Sequence, residues 1–251
     1  GGQTMATARQ ELRVHPWIGV VGTVGVLGGS VMIALLHVTP ARLDPLTQPL
    51  SLYALTTAGW LFDGGVTTVA IGLGMLLVGL VRAGQLARLS AESLALLICA
   101  MALVTLVVFP DRSTDGVLTT DGWIHWAASM VAFGALPVAP ILLGRRHRRT
   151  EGCSALPGIA RALAVVAILL LALFLAGSII RRVAPVSLWH VGGAVERGLA
   201  AVELVAAVLV GLWAVGGVRA DMRDHDGRTG VTDVPPAPHD AAAPARPSHR
   251  R

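Results

Sequence analysis

Two acidic residues lie inside long apolar runs, where a carboxyl group is expensive to keep. Asp63 and Glu203 both fall in the first half of such a run, and Glu196 lies seven residues before Glu203 on the same helical face. An ionised carboxylate that faces lipid costs at least a few kcal/mol, so each acid is expected to face other protein groups. We predict that Asp63 faces the bundle and shares a proton with Glu203, or bonds a histidine or a threonine.

Three histidines lie at the ends of the same apolar runs. His37 closes the first run, His125 opens the fourth, and His190 precedes the sixth. Asp121 lies four residues before His125, so a helix that begins near Thr120 places both side chains on one face. A carboxylate bonded to one imidazole nitrogen fixes the tautomer and leaves the other nitrogen for a metal or a proton. We predict that Asp121 orients His125 at the centre of an outer site.

These residue types allow metal chemistry, although their spacing is not that of a known metal motif. Zn²⁺ held by His37, His125 and His190 would activate a water for hydrolysis of a lipid or an amide. The sequence has no His-x-x-x-His spacing. Haem is disfavoured, because two histidines at helix ends make a poor buried axial pair. The cofactor is therefore left open, with zinc compatible with these residues and haem disfavoured.

Further polar and aromatic residues near the same ends of the runs are candidates for ligand binding. Arginine pairs such as Arg181 and Arg182 hold phosphate or carboxylate groups through bidentate hydrogen bonds. The predicted catalytic residues are Asp63, His125 and Glu203. The predicted ligand-binding residues are Ser51, Tyr53, Trp60, Asp111, Asp121, Arg181, Arg182 and Glu196.

Six long apolar runs must position these side chains. A hydrocarbon core about 30 Å thick is crossed by roughly 20 residues of helix, in which each backbone amide is bonded within its own segment. Hydrophobic residues make up 54% of the chain, which agrees with such a structure. We predict an all-α integral membrane bundle of six transmembrane helices, at 17–38, 56–81, 93–109, 123–144, 162–180 and 198–218.

Arginine determines the predicted orientation, because the chain contains no lysine. Most arginines precede the first run, follow the second and sixth, or lie between the fourth and fifth. The positive-inside rule therefore places both termini in the cytoplasm, with a bacterial cytoplasmic membrane as the predicted location. The net charge of +5 arises largely from these arginines, so nucleic acid is not a predicted partner. The alternate segments hold only Arg42, Arg112, Arg181, Arg182 and Arg197.

The chain divides by composition into three parts. A short cytoplasmic N-terminus at 1–16 precedes the transmembrane domain at 17–218. Residues 219–251 are rich in Asp, Arg, Pro and Ala, and are predicted to form a disordered cytoplasmic tail.

Small residues recur at a spacing that lets membrane helices approach closely. Gly25 and Gly29 lie four residues apart in the first run, as do Ala207 and Gly211 in the sixth. Such pairs indicate helix packing within the chain more strongly than they indicate a dimer. The oligomeric state is left open.

Three short motifs resemble a known family. The segment at 43–54, LDPLTQPLSLYA, precedes a helix that opens with Gly59-Trp60, and Phe109-Pro110-Asp111 ends the third run. The fourth run opens with Gly122-Trp123-Ile124-His125. With these motifs, residues 17–218 resemble the bacterial multi-pass membrane proteins called domain of unknown function 998. That family has an Asp and a Ser before the second span, Phe-Pro-x-Asp after the third and Gly-x-x-His in the fourth, whereas here Asp111 directly follows Phe-Pro. The resemblance implies a multi-pass membrane fold and no particular activity.

Three functions are compatible with this pattern. In the first, the polar Asp/Glu/His cluster in the outer half of the bundle handles a lipid or a small amphipathic ligand; an enzyme of this kind would be a metal-assisted hydrolase at the outer leaflet. In the second, the protein is a membrane scaffold that binds a partner without catalysis. In the third, Asp63 and Glu203 serve a proton- or cation-coupled transporter, against which stands the lack of an obvious broken helix or inverted repeat.

The arginine distribution makes a testable prediction about topology. A reporter enzyme that is active only in the cytoplasm should work when fused after Val218 or inserted within 145–151, and should be inactive within 114–119. The reason is that translocating arginine-rich loops is unfavourable. Activity of the insertion within 114–119 would reverse the predicted orientation.

Overall fold

The computed structural model describes residues 17–39, 43–114, 117–147, 155–183 and 191–229. Within these ranges the chain forms seven α-helices, two short 3-10 helices and one pair of two-residue antiparallel strands. The 3-10 helices are Leu36–Val38 and Leu50–Leu55, and the strands are β1, Ser113–Thr114, and β2, Val117–Leu118. The α-helices are α1, Trp17–Leu35; α2, Gly59–Arg82; α3, Ala91–Val108; α4, Thr120–Ala135; α5, Val138–His147; α6, Leu156–Val183; and α7, Gly192–Thr229.

Six helical segments of this structure are long and apolar enough to cross a membrane. The predicted all-α bundle of six spans is therefore confirmed, whereas the cytoplasmic position of the termini stays a prediction. The sixth segment begins at Gly192, earlier than the apolar run suggested, so Glu196 and Arg197 belong to a helix. The segments are Trp17–Val38, Gly59–Arg82, Ala91–Val108, Thr120–Arg145, Leu156–Ile180 and Gly192–Gly216.

The fourth span is broken into two helices. Leu136 and Pro137 separate α4 from α5. Proline has no N–H, so Pro137 cannot donate to the carbonyl of Phe133, and Pro140 cannot donate to that of Leu136. The interruption is short, because Leu136 keeps helical dihedral angles and its N–H donates to the Ala132 carbonyl at 3.0 Å. The span is therefore interrupted at the prolines without being unwound.

Glycines allow α1 and α2 to pack backbone against backbone. A Cβ atom on Gly72 would lie 2.5 Å from the backbone nitrogen of Val26, and one on Gly29 would lie 2.5 Å from the carbonyl oxygen of Gly65. Gly25 also lies against Gly72. No larger residue fits at these positions unless the helices separate. In lipid, such close contact supplies dispersion energy where no hydrophobic drive acts between helices.

Small residues also allow α7 to pack closely against α1. Gly211 lies directly against the side chain of Thr23, and Ala207 is buried in the same core. Both pairs of small residues noted in the sequence therefore lie at contacts within the chain.

Two apolar clusters fill the bundle. The larger one lies between the helices around Leu73, Leu76 and Leu143. The smaller one lies where α1 and α3 end and α2 begins, around Tyr53 and Phe62. We call this second region the outer end, following the predicted orientation.

The C-terminal part of the chain is a separate unit by its contacts. The chain divides into Gly1–Val218 and Arg219–Arg251. The helical backbone of α7 continues to Thr229, so the first residues of the predicted disordered tail are helical here. Disorder at 230–251, and the cytoplasmic N-terminus at 1–16, stay predictions because these residues lie outside the described ranges.

The glycine contact predicts a sharp difference between two neighbouring substitutions on α2. Gly72→Ala should lower the free energy of unfolding by about 1–3 kcal/mol, because its methyl group overlaps backbone atoms of α1. Gly74→Ala is the matched control, since a Cβ atom there meets nothing within 4 Å. Denaturant unfolding of the purified variants, followed by tryptophan fluorescence, measures both. Equal stability of the two variants would contradict the close α1–α2 contact.

Candidate functional site

Two adjoining cavities lie at the outer end of the bundle. The outer cavity has a volume of about 400 Å³ and reaches Asp111 and Ser178. The inner cavity, of about 80 Å³, extends deeper, to Cys99 and Glu203. They form one site because their walls have residues in common, namely Ser51, His125, Ser129, Phe133 and Glu196.

His125 stands between the two cavities, with its tautomer fixed by the end of α3. Its Nδ1 lies 2.8 Å from the carbonyl oxygen of Phe109 and 3.2 Å from that of Leu106. Both carbonyl oxygens can only accept a hydrogen bond, so Nδ1 carries a proton and is the donor. The Leu106 carbonyl lacks its usual helical donor because the residue four positions later is Pro110. In the neutral ring, Nε2 is therefore left with a free lone pair.

The prediction that Asp121 orients His125 is wrong. The helix α4 does begin at Thr120, as expected. The hydrogen bonds of His125 go instead to the backbone of α3, and Asp121 lines neither cavity. Thr119 caps the helix, its hydroxyl oxygen accepting a hydrogen bond from the Gly122 amide at 3.2 Å.

The 3-10 helix Leu50–Leu55 brings a hydroxyl and two carboxyl groups together. The Ser51 hydroxyl donates to Oδ2 of Asp111 at 2.8 Å. The backbone N–H groups of Leu50 and Ser51 lie close to the Glu196 carboxylate. These N–H groups begin a helical turn and have no partner within it, so an acceptor from α7 is favourable there. Oε2 of Glu196 is buried without a hydrogen-bond partner among the described residues.

Arg197 anchors the loop that leads into this 3-10 helix. Its Nη1 donates to the carbonyl oxygens of Gln48 at 2.6 Å, Pro45 at 3.0 Å and Gly193 at 3.0 Å. The loop is also closed on itself, since Asp44 accepts from the Thr47 hydroxyl at 2.6 Å. That hydrogen bond, followed by one from the Leu46 amide, lowers the pKa of Asp44.

The sequence identified Arg197 only as an outer charge and missed its role as an anchor. The one feature of the sequence that could have indicated this role is the position of Arg197, directly after an acid at the start of an apolar run. Tyr53, a predicted ligand-binding residue, is buried, and the guanidinium carbon of Arg197 lies 6.0 Å from its ring centroid.

His37 is bonded to Arg197 and has no nitrogen left for a metal. Nε2 of His37 accepts from Nε of Arg197 at 3.0 Å, so Nε2 is unprotonated and Nδ1 donates to the carbonyl of Ala34 at 3.2 Å. In the part of the chain that is described, no three His, Cys, Asp or Glu side chains lie close enough to hold a metal ion. His190 lies outside the described residues, so its place in a zinc site stays a prediction.

Asp63 and Glu203 do not meet. Asp63 is half-buried on α2 and lines neither cavity, whereas Glu203 is 3% exposed and lines the inner one. Oε1 of Glu203 is buried and has no hydrogen-bond partner within the described residues. The predicted proton sharing between these two acids is therefore wrong.

Trp60, another predicted residue, lines neither cavity. Trp60 is 68% exposed on the first turn of α2, too open to line an enclosed site. Arg181 and Arg182 belong to the last turn of α6, and their side chains are not among those described. Their predicted role in binding an anion stays a prediction.

Comparison with known proteins identifies the family. The family described as "Protein of unknown function (DUF998)" matches residues 20–213. The chain belongs to this family. No curated protein and no solved structure matches the chain. The resemblance seen in the sequence is thereby confirmed for a multi-pass membrane protein, and the DUF998 description carries no activity that could be transferred to the two cavities.

The hydrogen bonds of His125 predict which replacements this site of the DUF998 member tolerates. His125→Leu leaves the Leu106 and Phe109 carbonyls without a donor, so the free energy of unfolding should fall by about 1–3 kcal/mol. His125→Asn keeps an N–H donor near the position of Nδ1 and should restore most of that loss, whereas His125→Gln should not. Denaturant unfolding measures the three variants. Equal stability of the Asn and Leu variants would show that the Nδ1 hydrogen bonds contribute nothing.

Proposed function

We propose that this protein binds a small amphipathic molecule with an amine head group at the outer end of the bundle. The observation that supports this is the pair of joined cavities, one lined by polar acceptors and the other mainly apolar. A ligand with a charged end and a short apolar end would match both.

The outer cavity favours a positively charged head group. Asp111 and Glu196 contribute carboxylates, and Nε2 of His125 contributes a lone pair. No arginine is among the described residues that line this cavity. An ammonium group has three N–H donors and no acceptor, so it complements such a surface, whereas a carboxylate or phosphate is repelled.

The inner cavity favours a short apolar group. Its wall includes Phe62, Val66 and Leu103. Its volume of about 80 Å³ is smaller than the roughly 150 Å³ of an apolar cavity that binds benzene. A short alkyl chain fits this space, while the two acyl chains of a phospholipid do not. Of the predicted ligand classes, the small amphipathic molecule is therefore better supported than a lipid.

A binding role accounts for the buried acids better than a scaffold does. Glu196 and Glu203 each have a buried carboxyl oxygen without a hydrogen-bond partner among the described residues. Such atoms cost stability when left alone. A scaffold has no need for them, whereas the ammonium group of a ligand in the outer cavity would satisfy the carboxylate of Glu196.

Ligand binding is testable on the protein in lipid nanodiscs. Hexylamine should raise the unfolding temperature, while hexanoate should not, because the two probes share a chain and differ in charge. Asp111→Asn should weaken hexylamine binding about tenfold, equivalent to about 1.4 kcal/mol, since one charge-assisted contact is lost. Asp121→Asn is the matched control, because Asp121 is an outer-end acid that lines neither cavity. Calorimetric titration gives the dissociation constants.

Two results would argue against an amine site. Equal stabilisation by hexylamine and hexanoate would indicate non-specific partition into the lipid. Equal affinities of the Asp111→Asn and Asp121→Asn variants would place the bound amine outside the outer cavity.

A further inference from the structure

A further cavity of about 320 Å³ lies between α1 and α7. Its walls are formed mainly by residues in 27–37 and 197–209, together with Leu50. Leu27 and Val205, which line it, are each 51% exposed, so the cavity is open to the surroundings of the bundle. Both residues belong to membrane-crossing segments, and the surroundings at this depth are therefore lipid. We call this cavity the lateral groove.

The helices α1 and α7 are in contact at both ends of the lateral groove. At the outer end, Nε of Arg197 donates to Nε2 of His37 at 3.0 Å. At the other end, Gly211 lies directly against the side chain of Thr23. A third helix between α1 and α7 would hold their axes apart by roughly twice the 8–10 Å of packed helices. The two contacts exclude such a separation, so the groove accepts a molecule thinner than a helix.

The length and polarity of the lateral groove match a hydrocarbon chain. Between Arg197 and Leu209, α7 rises by about 18 Å, which is close to half of a hydrocarbon core roughly 30 Å thick. Apart from Arg197 and His37 at the outer end, Ser30 is the one polar side chain among the described lining residues, and its hydroxyl donates to the Val26 carbonyl at 2.7 Å. A chain of methylene groups in the groove gains dispersion contacts with both helices.

The outer end of the lateral groove offers little to distinguish one head group from another. Nε and Nη1 of Arg197 already donate to His37 and to backbone carbonyl oxygens. Asp44 and Glu196 are close enough to interact with the charge of Arg197. Because this charge is compensated within the protein, recognition is expected to depend on the hydrocarbon chain instead of the charge of the head group.

We propose that the lateral groove binds one acyl chain of a phospholipid from the leaflet at the outer end. The head group lies beside Arg197, one acyl chain extends along α7 toward Leu209, and the other acyl chain stays in the bilayer. This lipid site is independent of the proposed amine site. The bound acyl chain nevertheless packs on side chains that also enclose the inner cavity, namely Ile33, Leu50, Ala200 and Leu204.

Photo-crosslinking locates the bound acyl chain. The protein is placed in nanodiscs that contain a small fraction of phosphatidylcholine with a diazirine halfway along one acyl chain, and the labelled residues are identified by mass spectrometry after illumination. Labelling should be concentrated on residues 27–34 and 200–209. Ala201→Phe should lower it about tenfold, because the phenyl group competes with the acyl chain for the same space. Ala201 lines the lateral groove and neither cavity of the amine site.

Ala172→Phe on α6 is the matched control for Ala201→Phe. Both alanines are exposed, and each lies eight or nine residues from the outer end of its membrane-crossing segment. Ala172 lines neither the lateral groove nor the two cavities of the amine site, so its variant should be labelled like the wild type. Should Ala201→Phe fail to fold, Ala201→Leu, with its smaller side chain, should still lower the labelling.

Native mass spectrometry of the detergent-purified protein counts the lipid. The wild type and Ala172→Phe should each retain one phospholipid, and Ala201→Phe should retain none. Phosphatidylcholine and phosphatidylglycerol should be retained equally, because the acyl chain is recognised and the charge of the head group is not.

Three results would overturn the lipid site. Labelling spread evenly over the exposed faces of all six spans would show that lipid contacts the groove as it contacts any other surface. Equal labelling of Ala201→Phe and Ala172→Phe would place the acyl chain outside the groove. Labelling of the groove by a diazirine fatty acid, but not by the diazirine phospholipid, would show that a free fatty acid is the occupant.

Discussion

The structure depends on one constraint, which is that the bilayer interior offers no water to an unpaired polar group. An N–H, carbonyl or carboxyl group at membrane depth is therefore costly unless it finds a partner inside the protein. At the outer end several such groups meet because each lacks a local partner. The carbonyl of Leu106 is deprived of its donor by Pro110 and receives one from His125. The first amides of the 3-10 helix Leu50–Leu55 receive the carboxylate of Glu196 in the same way.

The fold was largely predictable because apolar length is a local property of sequence. Six runs of sufficient length gave six spans, and the spacing of glycines indicated the close contact at Gly29. The break in the fourth span was missed even though Pro137 and Pro140 lie in the run. A hydropathy scale counts proline by its polarity and does not account for its missing backbone N–H. The apolar composition of the run therefore gave no indication of the interruption.

The sequence indicated some residues that line the two cavities, but not the contacts that these residues make. The motifs that indicated the family contain Ser51, Asp111 and His125, and all three line the outer cavity. A spacing of four places Asp121 and His125 on one helical face, yet it says nothing of competing acceptors on another helix. The pairing of Asp63 with Glu203 failed for a related reason, because depth in a span does not reveal how far each helix is rotated about its axis.

Because of the interruption at Leu136 and Pro137, the fourth span consists of two helices that can bend relative to each other, instead of one continuous helix. The inner segment, α5, packs on α3 and α6, whereas the outer segment, α4, packs mainly on α3 and carries His125. A junction without continuous helical hydrogen bonds bends more easily than the helix on either side. The outer segment is therefore the part of the fourth span that is free to change its tilt, and with it the width of the passage beside His125, while the opposite half of the bundle keeps its packing.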